Sequence, residues 1–344
     1  MEAFMVKIEE LEKELNNGIL KSIYLLYGEE LFLLENSLKK IKKLFGECVK
    51  GINYIPIDDT NIWEIVSDIE TPAFGYEKKL IIARNSGILK KEGKRKNAEL
   101  EKIRNRLAEY LEANFAIIKE SIVLVFIEED IDNKSKLYKT IEKIGEVCYF
   151  EYQKPIQIER RIKAICHGYK VNIADVDIRY FIESCGTNMQ ELINEIRKLI
   201  EYVGENGTIK KEDIDKLCIK KLESVIFDLT DNLGKKETNK ALQVLNNLIY
   251  AKEPIQKILI TLYNHFRKLY LTKIAVKNNQ DMITSLNLKP NQTFLVNKYK
   301  TQAKYFKEKE LKDILQSLRD LDYHYKIGLI DLQIGLESIL CRYC

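Results

Sequence analysis

The chain has 344 residues, 45% of them hydrophobic and 31% charged, so it is a globular chain long enough for two or three domains with their own cores. Its 56 basic side chains against 52 acidic ones leave a net charge of +4, too slight to argue by itself for a nucleic-acid partner. No run of about eighteen apolar residues occurs, and the opening Met1-Glu2-Ala3-Phe4-Met5-Val6-Lys7 carries no apolar signal core, so a cytoplasmic protein with no membrane partner is expected.

Ser22-Ile23-Tyr24-Leu25-Leu26-Tyr27 reads as an apolar strand, Gly28-Glu29-Glu30 as a turn and residues 31–45 as the helix that follows. A nucleotide-binding loop at this point needs glycines so that backbone N–H groups cradle phosphate, a Lys for the terminal phosphates and a Ser or Thr for Mg²⁺. This turn offers two carboxylates instead, which satisfy the helix dipole and repel a polyphosphate. Strand-like runs follow at 53–57, 80–83, 122–127 and 147–150, with helical patterns at 63–70, 98–114 and 135–145. Continuous apolar strands alternating with helices point to a parallel sheet covered on both faces.

From residue 155 the pattern is helical, with helices expected at 156–169, 175–184 and 188–203. The third carries Met189, Leu192, Ile193, Ile196, Leu199 and Ile200 along one stripe and stops at Gly204-Glu205-Asn206-Gly207. Thr208-Ile209-Lys210-Lys211-Glu212-Asp213 resembles a cap before a further helix. Long amphipathic helices then run from Leu222, broken at Gly234, Glu253-Pro254 and Leu288-Lys289-Pro290. The expected fold class is α/β plus all-α: an α/β domain over 1–150, a three-helix domain over 151–210 and a larger helical domain over 211–344.

The seven cysteines, at 48, 148, 166, 185, 218, 341 and 344, have no regular spacing; most sit in apolar stretches and read as buried thiols of a reducing compartment. Cys341-Arg342-Tyr343-Cys344 is a lone CxxC with no second pair and no nearby His, so no zinc site is expected there. His167, His265 and His324 each lie in a helical pattern and read as surface or capping residues. Glu128-Glu129-Asp130 reads as a solvated acidic turn rather than a metal site.

The order of these segments resembles the delta subunit of bacterial DNA polymerase III, a clamp-loader family. The resemblance rests on Tyr24-Leu25-Leu26-Tyr27-Gly28-Glu29-Glu30, Glu70-Thr71-Pro72-Ala73-Phe74, Leu137-Tyr138-Lys139, Gly145-Glu146-Val147 and Ile226-Phe227-Asp228-Leu229-Thr230-Asp231. It continues with Glu253-Pro254, Phe266-Arg267-Lys268-Leu269 and Tyr325-Lys326-Ile327-Gly328. No one segment is a sharp motif; their ordered occurrence along nearly the whole chain is specific. The resemblance implies an AAA+-type α/β domain, a helical lid and a helical collar. An ATPase of that class would follow the strand at 80–83 with an acidic pair for Mg²⁺ and water, where this chain has Arg84-Asn85. Gly186-Thr187-Asn188-Met189-Gln190 resembles the lid segment that supplies a phosphate-sensing Arg in active relatives, and here position 190 is Gln. No cofactor, metal or catalytic residue is therefore expected; ATP hydrolysis belongs to neighbouring subunits and nucleotidyl transfer to the polymerase holoenzyme.

The same resemblance implies that Pro72, Ala73 and Phe74 present an apolar plug to a pocket on the ring-shaped sliding clamp, the beta subunit. Phe74 matches the family aromatic, and Ala73 is smaller than the Leu or Pro usual beside it. From pattern alone, Phe74 also fits a core position closing the helix–strand connection. The other implied partners are the loader ATPase subunits, the delta-prime subunit and primer–template DNA. Lys90, Lys91, Lys94, Arg95, Lys96, Lys102, Arg104 and Arg106 form the most basic stretch. It reads either as phosphate contact with that DNA or as a solvated loop, and no aromatic interleaves the charges to stack on bases. In the C-terminal region the helical stripes serve an internal core or neighbouring subunits. The leading reading is a non-catalytic subunit that binds and opens the clamp; the alternatives are a degenerate AAA+ ATPase and a DNA-binding replication or repair accessory protein.

Overall fold

The apolar runs of the first half become parallel strands of one sheet. The computed structural model describes residues 7–91 and 98–343. In chain order the first half holds α1 (Ile8–Asn16), β1 (Ile23–Tyr27), α2 (Leu31–Phe45), β2 (Tyr54–Ile57), α3 (Ile65–Glu70) and β3 (Lys79–Arg84). It goes on with α4 (Ala98–Ala113), α5 (Phe115–Ser121), β4 (Ile122–Glu128), α6 (Lys136–Ile144) and β5 (Glu146–Tyr149). The strand order is β2-β3-β4-β1-β5, and every pairing is parallel.

Alternation along each strand builds two cores. Ile23, Leu25, Ile81, Leu124 and Phe126 pack on one face with residues of α3, α4 and α6, such as Ile65, Leu107 and Ile141. Tyr24, Leu26, Leu80, Ile82, Val123 and Val125 pack on the other with Leu11 of α1 and Leu34 and Ile41 of α2. The helix after β1 thus covers one face and the helix after β4 covers the other, although the two strands are neighbours. In an open parallel sheet such a divergence leaves a crevice at the C-terminal strand ends. Helix α5 was not anticipated, since its seven residues merge with the apolar run of β4.

The chain separates into two units, Met1–Tyr152 and Gln153–Cys344. The second contains α7 (Pro155–Gly168), β6 (Asn172–Ile173), α8 (Asp175–Cys185), α9 (Met189–Val203), β7 (Thr208–Ile209) and α10 (Lys211–Leu217). Where only helices were expected, β6 and β7 form a small parallel pair. The turns beside it supply the reason: the Asn172 N–H donates to the Gly207 carbonyl and the Asn206 N–H to the Lys170 carbonyl, both at 2.9 Å. After α10 come α11 (Leu222–Gly234), α12 (Thr238–Tyr250), α13 (Ile255–Lys277), α14 (Met282–Ser285), α15 (Leu295–Ala303), α16 (Glu308–Lys326) and α17 (Leu332–Tyr343). Their apolar stripes converge on one cluster drawn from positions 222 to 340.

His265 is not at the surface as expected: it is buried in a polar network among α11, α13 and α15. Its Nε2–H faces Gln302 Oε1, with the Thr230 hydroxyl 3.0 Å away. Gln302 in turn donates to the Phe227 carbonyl at 2.9 Å and to Asp231 Oδ1 at 2.7 Å. A helical period conceals this, because a histidine on the apolar stripe is satisfied by groups distant in sequence. Burial lowers the imidazole pKa from 6.5 to about 4, so between those values the ring stays neutral in the fold while it becomes charged in the unfolded chain. The stability it supports is fully present above pH 6.5 and is lost as pH falls toward 4, by up to about 3 kcal/mol. Urea unfolding of the full chain across that window is expected to show the loss, and His265→Gln to flatten it.

Candidate functional site

At the crevice between β1 and β4 the turn Gly28-Glu29-Glu30 is closed rather than open to phosphate. The Glu30 N–H donates to the Phe150 carbonyl at 2.9 Å and the Gly28 N–H reaches the Glu128 carbonyl at 3.4 Å. A Cβ at Gly28 would lie 2.5 Å from the Phe150 oxygen, and φ there is +123°, so only glycine fits. Tyr149 stacks on Tyr27 with ring centroids 5.0 Å apart and donates its hydroxyl to Glu29 Oε2 at 2.9 Å. The carboxylates expected to serve the N-terminus of α2 do not cap it: Glu30 makes no side-chain capping bond, and Glu29 is engaged by Tyr149. The remaining cleft, about 380 Å³, sets Glu29, Glu129, Asp130 and Asp132 against Lys91 and Lys134. A polyphosphate entering it meets an excess of negative charge.

The other positions where an ATPase would keep its reactive groups have structural partners. Arg84, at the end of β3, pairs with Glu35 of α2 at 2.6 Å. Asn85 sits at φ 49° and its N–H donates to the Ile127 carbonyl at 2.8 Å. Gln190 donates to Asn194 one turn along α9, at 3.0 Å. The acidic turn after β4 departs from expectation at Glu128, which is buried rather than solvated. It accepts the Ser86 hydroxyl at 2.8 Å, and burial pushes its carboxyl above the usual range. Glu129 and Asp130 are exposed.

Thr71-Pro72-Ala73-Phe74-Gly75-Tyr76 joins α3 to β3. The segment is anchored at its start. The Thr71 N–H and hydroxyl both donate to the Ser67 carbonyl, at 3.0 and 2.8 Å. Lys79, only 4% exposed at the head of β3, donates its ammonium to the Asp68 carbonyl at 2.8 Å and to the Thr71 carbonyl. These carbonyls at the C-terminal end of α3 have no intrahelical partner, and a cation there also suits the helix dipole. Burial lowers the Lys79 pKa, with the Asp68 carboxylate opposing. Beyond this anchor the chain turns at Gly75, φ +76°, with the Tyr76 N–H directed at the Ala73 carbonyl at 3.5 Å. Phe74 is 90% exposed, Pro72 is exposed and Ala73 half-buried. Phe74 therefore takes no part in the core. Sequence reading missed Lys79; the available signal was a lysine heading an otherwise apolar strand.

The described part of the basic stretch is not uniformly exposed. Lys90 and Lys91 are exposed, whereas Lys94, Arg95 and Lys96 lie outside the described residues. Arg104, counted among the exposed cations, is buried on α4. Its Nε donates to the Ile88 carbonyl at 2.6 Å and its Nη2 to the Lys90 carbonyl at 3.3 Å, so it holds the chain after β3 instead of facing a ligand.

Lys79→Met keeps the length and apolar stem of the side chain but leaves two carbonyls without their donor. A loss of about 1–3 kcal/mol is expected in urea unfolding. Faster amide exchange confined to residues 69–76 would show that the anchor, rather than the sheet, has been released.

Residues 24–153 match the family described as DNA polymerase III, delta subunit, and residues 223–343 match the DNA polymerase III delta subunit, C-terminal domain. The chain is 26% identical to the DNA polymerase III subunit delta of Bacillus subtilis (strain 168), over 96% of this chain and 95% of that one. It is also 26% identical to the probable DNA polymerase III subunit delta of Aquifex aeolicus (strain VF5), over 92% and 90% of the two chains. The solved structure of the Bacillus subtilis DNA clamp loader delta protein superposes with a TM-score of 0.73 at 23% identity, covering 98% of this chain and 99% of that one, which shows a common fold. With both family matches in chain order and relatives aligned almost end to end, this chain belongs to the DNA polymerase III delta-subunit family.

Proposed function

We propose that this chain is the clamp-loader subunit that binds a ring-shaped sliding clamp through Pro72, Ala73 and Phe74 and opens it, so that ATPase subunits can place it on primed DNA. The observation that carries the reading is Phe74, 90% exposed on a loop whose base is fastened by Lys79. Leaving a Phe ring in water forgoes about 1.5–3 kcal/mol of burial, which a partner pocket can return. Pro72 and the anchored base limit the entropy lost on docking.

The second unit supports a collar role beside the ATPase subunits and delta-prime. Around the turn between α16 and α17, Ile327, Leu329, Ile330 and Ile334 leave apolar surface exposed, as does Tyr323 on α16. In this reading residues 151–210 form the lid and 211–344 the collar. Lys90 and Lys91 remain the described candidates for contact with primer–template DNA. The competing ATPase reading gains no support from the crevice, where Tyr149 holds Glu29 of the turn and carboxylates outnumber lysines.

Two measurements test the proposal. Phe74→Ala is expected to weaken binding to the cognate clamp by about 2–4 kcal/mol, or about 30- to 1000-fold, with an unchanged melting temperature. Ala73→Leu should shift affinity the other way. A Phe74→Ala variant that melts at a lower temperature but binds the clamp normally would refute the assignment. Isothermal titration of the isolated chain with Mg·ATP should give no heat of binding; a micromolar site would restore the ATPase reading.

A further inference from the structure

Cys185, Glu195 and Cys218 are distant in sequence and sit on three helices. Cys185 is the last residue of α8, Glu195 lies within α9 and Cys218 caps α10. Packing brings the two sulfurs and a carboxylate oxygen within 4.8 Å of one another. The backbone around them is cross-tied. The Ile219 N–H, next to Cys218, donates to Glu195 Oε2 at 3.0 Å, and the Lys221 N–H donates to the carbonyl of Ser184, next to Cys185, at 2.9 Å. Cys185 is 2% exposed and Cys218 partly exposed, so the cluster is reached from the Cys218 side. Nothing in the clamp-binding reading uses these residues.

We propose that Cys185, Cys218 and Glu195 form a binding site for a thiophilic divalent cation of the zinc class, with a fourth position left to water. Two thiolates and one carboxylate suit a borderline-soft ion with tetrahedral preference. Zinc–sulfur bonds of about 2.3 Å put tetrahedral ligand atoms about 3.8 Å apart, so the cluster closes by no more than about 1 Å on binding. The balance is simple: the two thiols release two protons to solvent, the carboxylate is already ionised, and no electron moves. Before binding, the hydrogen bond with Cys218 and burial hold the Cys185 thiol protonated. Lys198 neutralises Glu195 at 2.6 Å and also reaches the Leu217 carbonyl at 3.3 Å, a position to which it can withdraw when the cation arrives. The bound ion then staples α8, α9 and α10.

Cobalt(II) provides the test, with the full-length chain carrying Cys341→Ser and Cys344→Ser so that the C-terminal pair cannot compete. Anaerobic titration with a non-thiol reductant should give one cobalt per chain, with thiolate charge-transfer absorption, tetrahedral ligand-field bands and displacement by zinc. Cys185→Ser and Cys218→Ser should each weaken binding more than about 100-fold, beyond the effect of an outer-shell change. Cys48→Ser should leave it unaltered. Lys198→Met, on an exposed side chain, removes the ammonium that competes for Glu195 while leaving all three ligand residues in place, and should tighten binding several-fold. Absence of tetrahedral bands, bands that survive both cysteine substitutions, or a Lys198→Met affinity equal to that of the parent would each overturn the proposal.

Discussion

A buried ammonium must find acceptors, and in this molecule the acceptors of Lys79 are the terminal carbonyls of α3. That requirement couples three things that are otherwise independent: where β3 begins, where α3 stops and which way the chain leaves between them. Lys79 pairs in register with Ile122 at the head of the sheet, so the anchor is as rigid as the central strands. The residues just past the anchor are then free of structural duty. An aromatic side chain can stand in water there without loosening the core beneath it, because the core of that face is completed by Ile65, Val66 and Ile69 before the loop begins.

The crevice at the sheet's C-terminal edge follows a related logic. Parallel strands with diverging helices leave a hollow whether or not a ligand uses it. Here the hollow is taken up by the chain itself. Gly28 lets the first turn lie against Phe150, Tyr149 closes over Glu29, and Arg84 crosses to Glu35. Glu128, at the end of the neighbouring strand, is held by Ser86 rather than by an ion. Glu29, Arg84 and Glu128 are thus ties between elements of the scaffold.

Much of this was legible in the sequence, for definite reasons. The helix after the first strand was read to its ends, because the turn residues Gly28 and Gly46 punctuate it and its stripe is clean. The parallel sheet followed from strands with apolar residues on both faces, a pattern that an amphipathic edge would not produce. That Phe74 faces a clamp is an expectation from family resemblance; pattern alone favours a core residue, and its exposure removes that core reading. The errors share a cause. His265, Glu128 and Arg104 are buried polar groups satisfied by partners 35 to 42 residues away or, for Arg104, by carbonyls 14 and 16 residues back. The Cys185, Glu195 and Cys218 cluster escaped for the same reason, since no spacing rule joins side chains from three separate helices. Local pattern registers a polar residue on a stripe but not the group that satisfies it.

The standing exposure of Phe74 bears on kinetics. A plug that is buried in the free chain would have to open before it could dock, and association would be gated by that opening. With the ring already in solvent on an anchored loop, the proposed docking would need no prior opening, and association would run at the ordinary rate for two rigid patches, on the order of 10⁵–10⁷ M⁻¹s⁻¹. Discrimination among partners would then reside in how long the ring stays in a pocket rather than how often it arrives. A site that stands open in this way would be silenced by something that covers it.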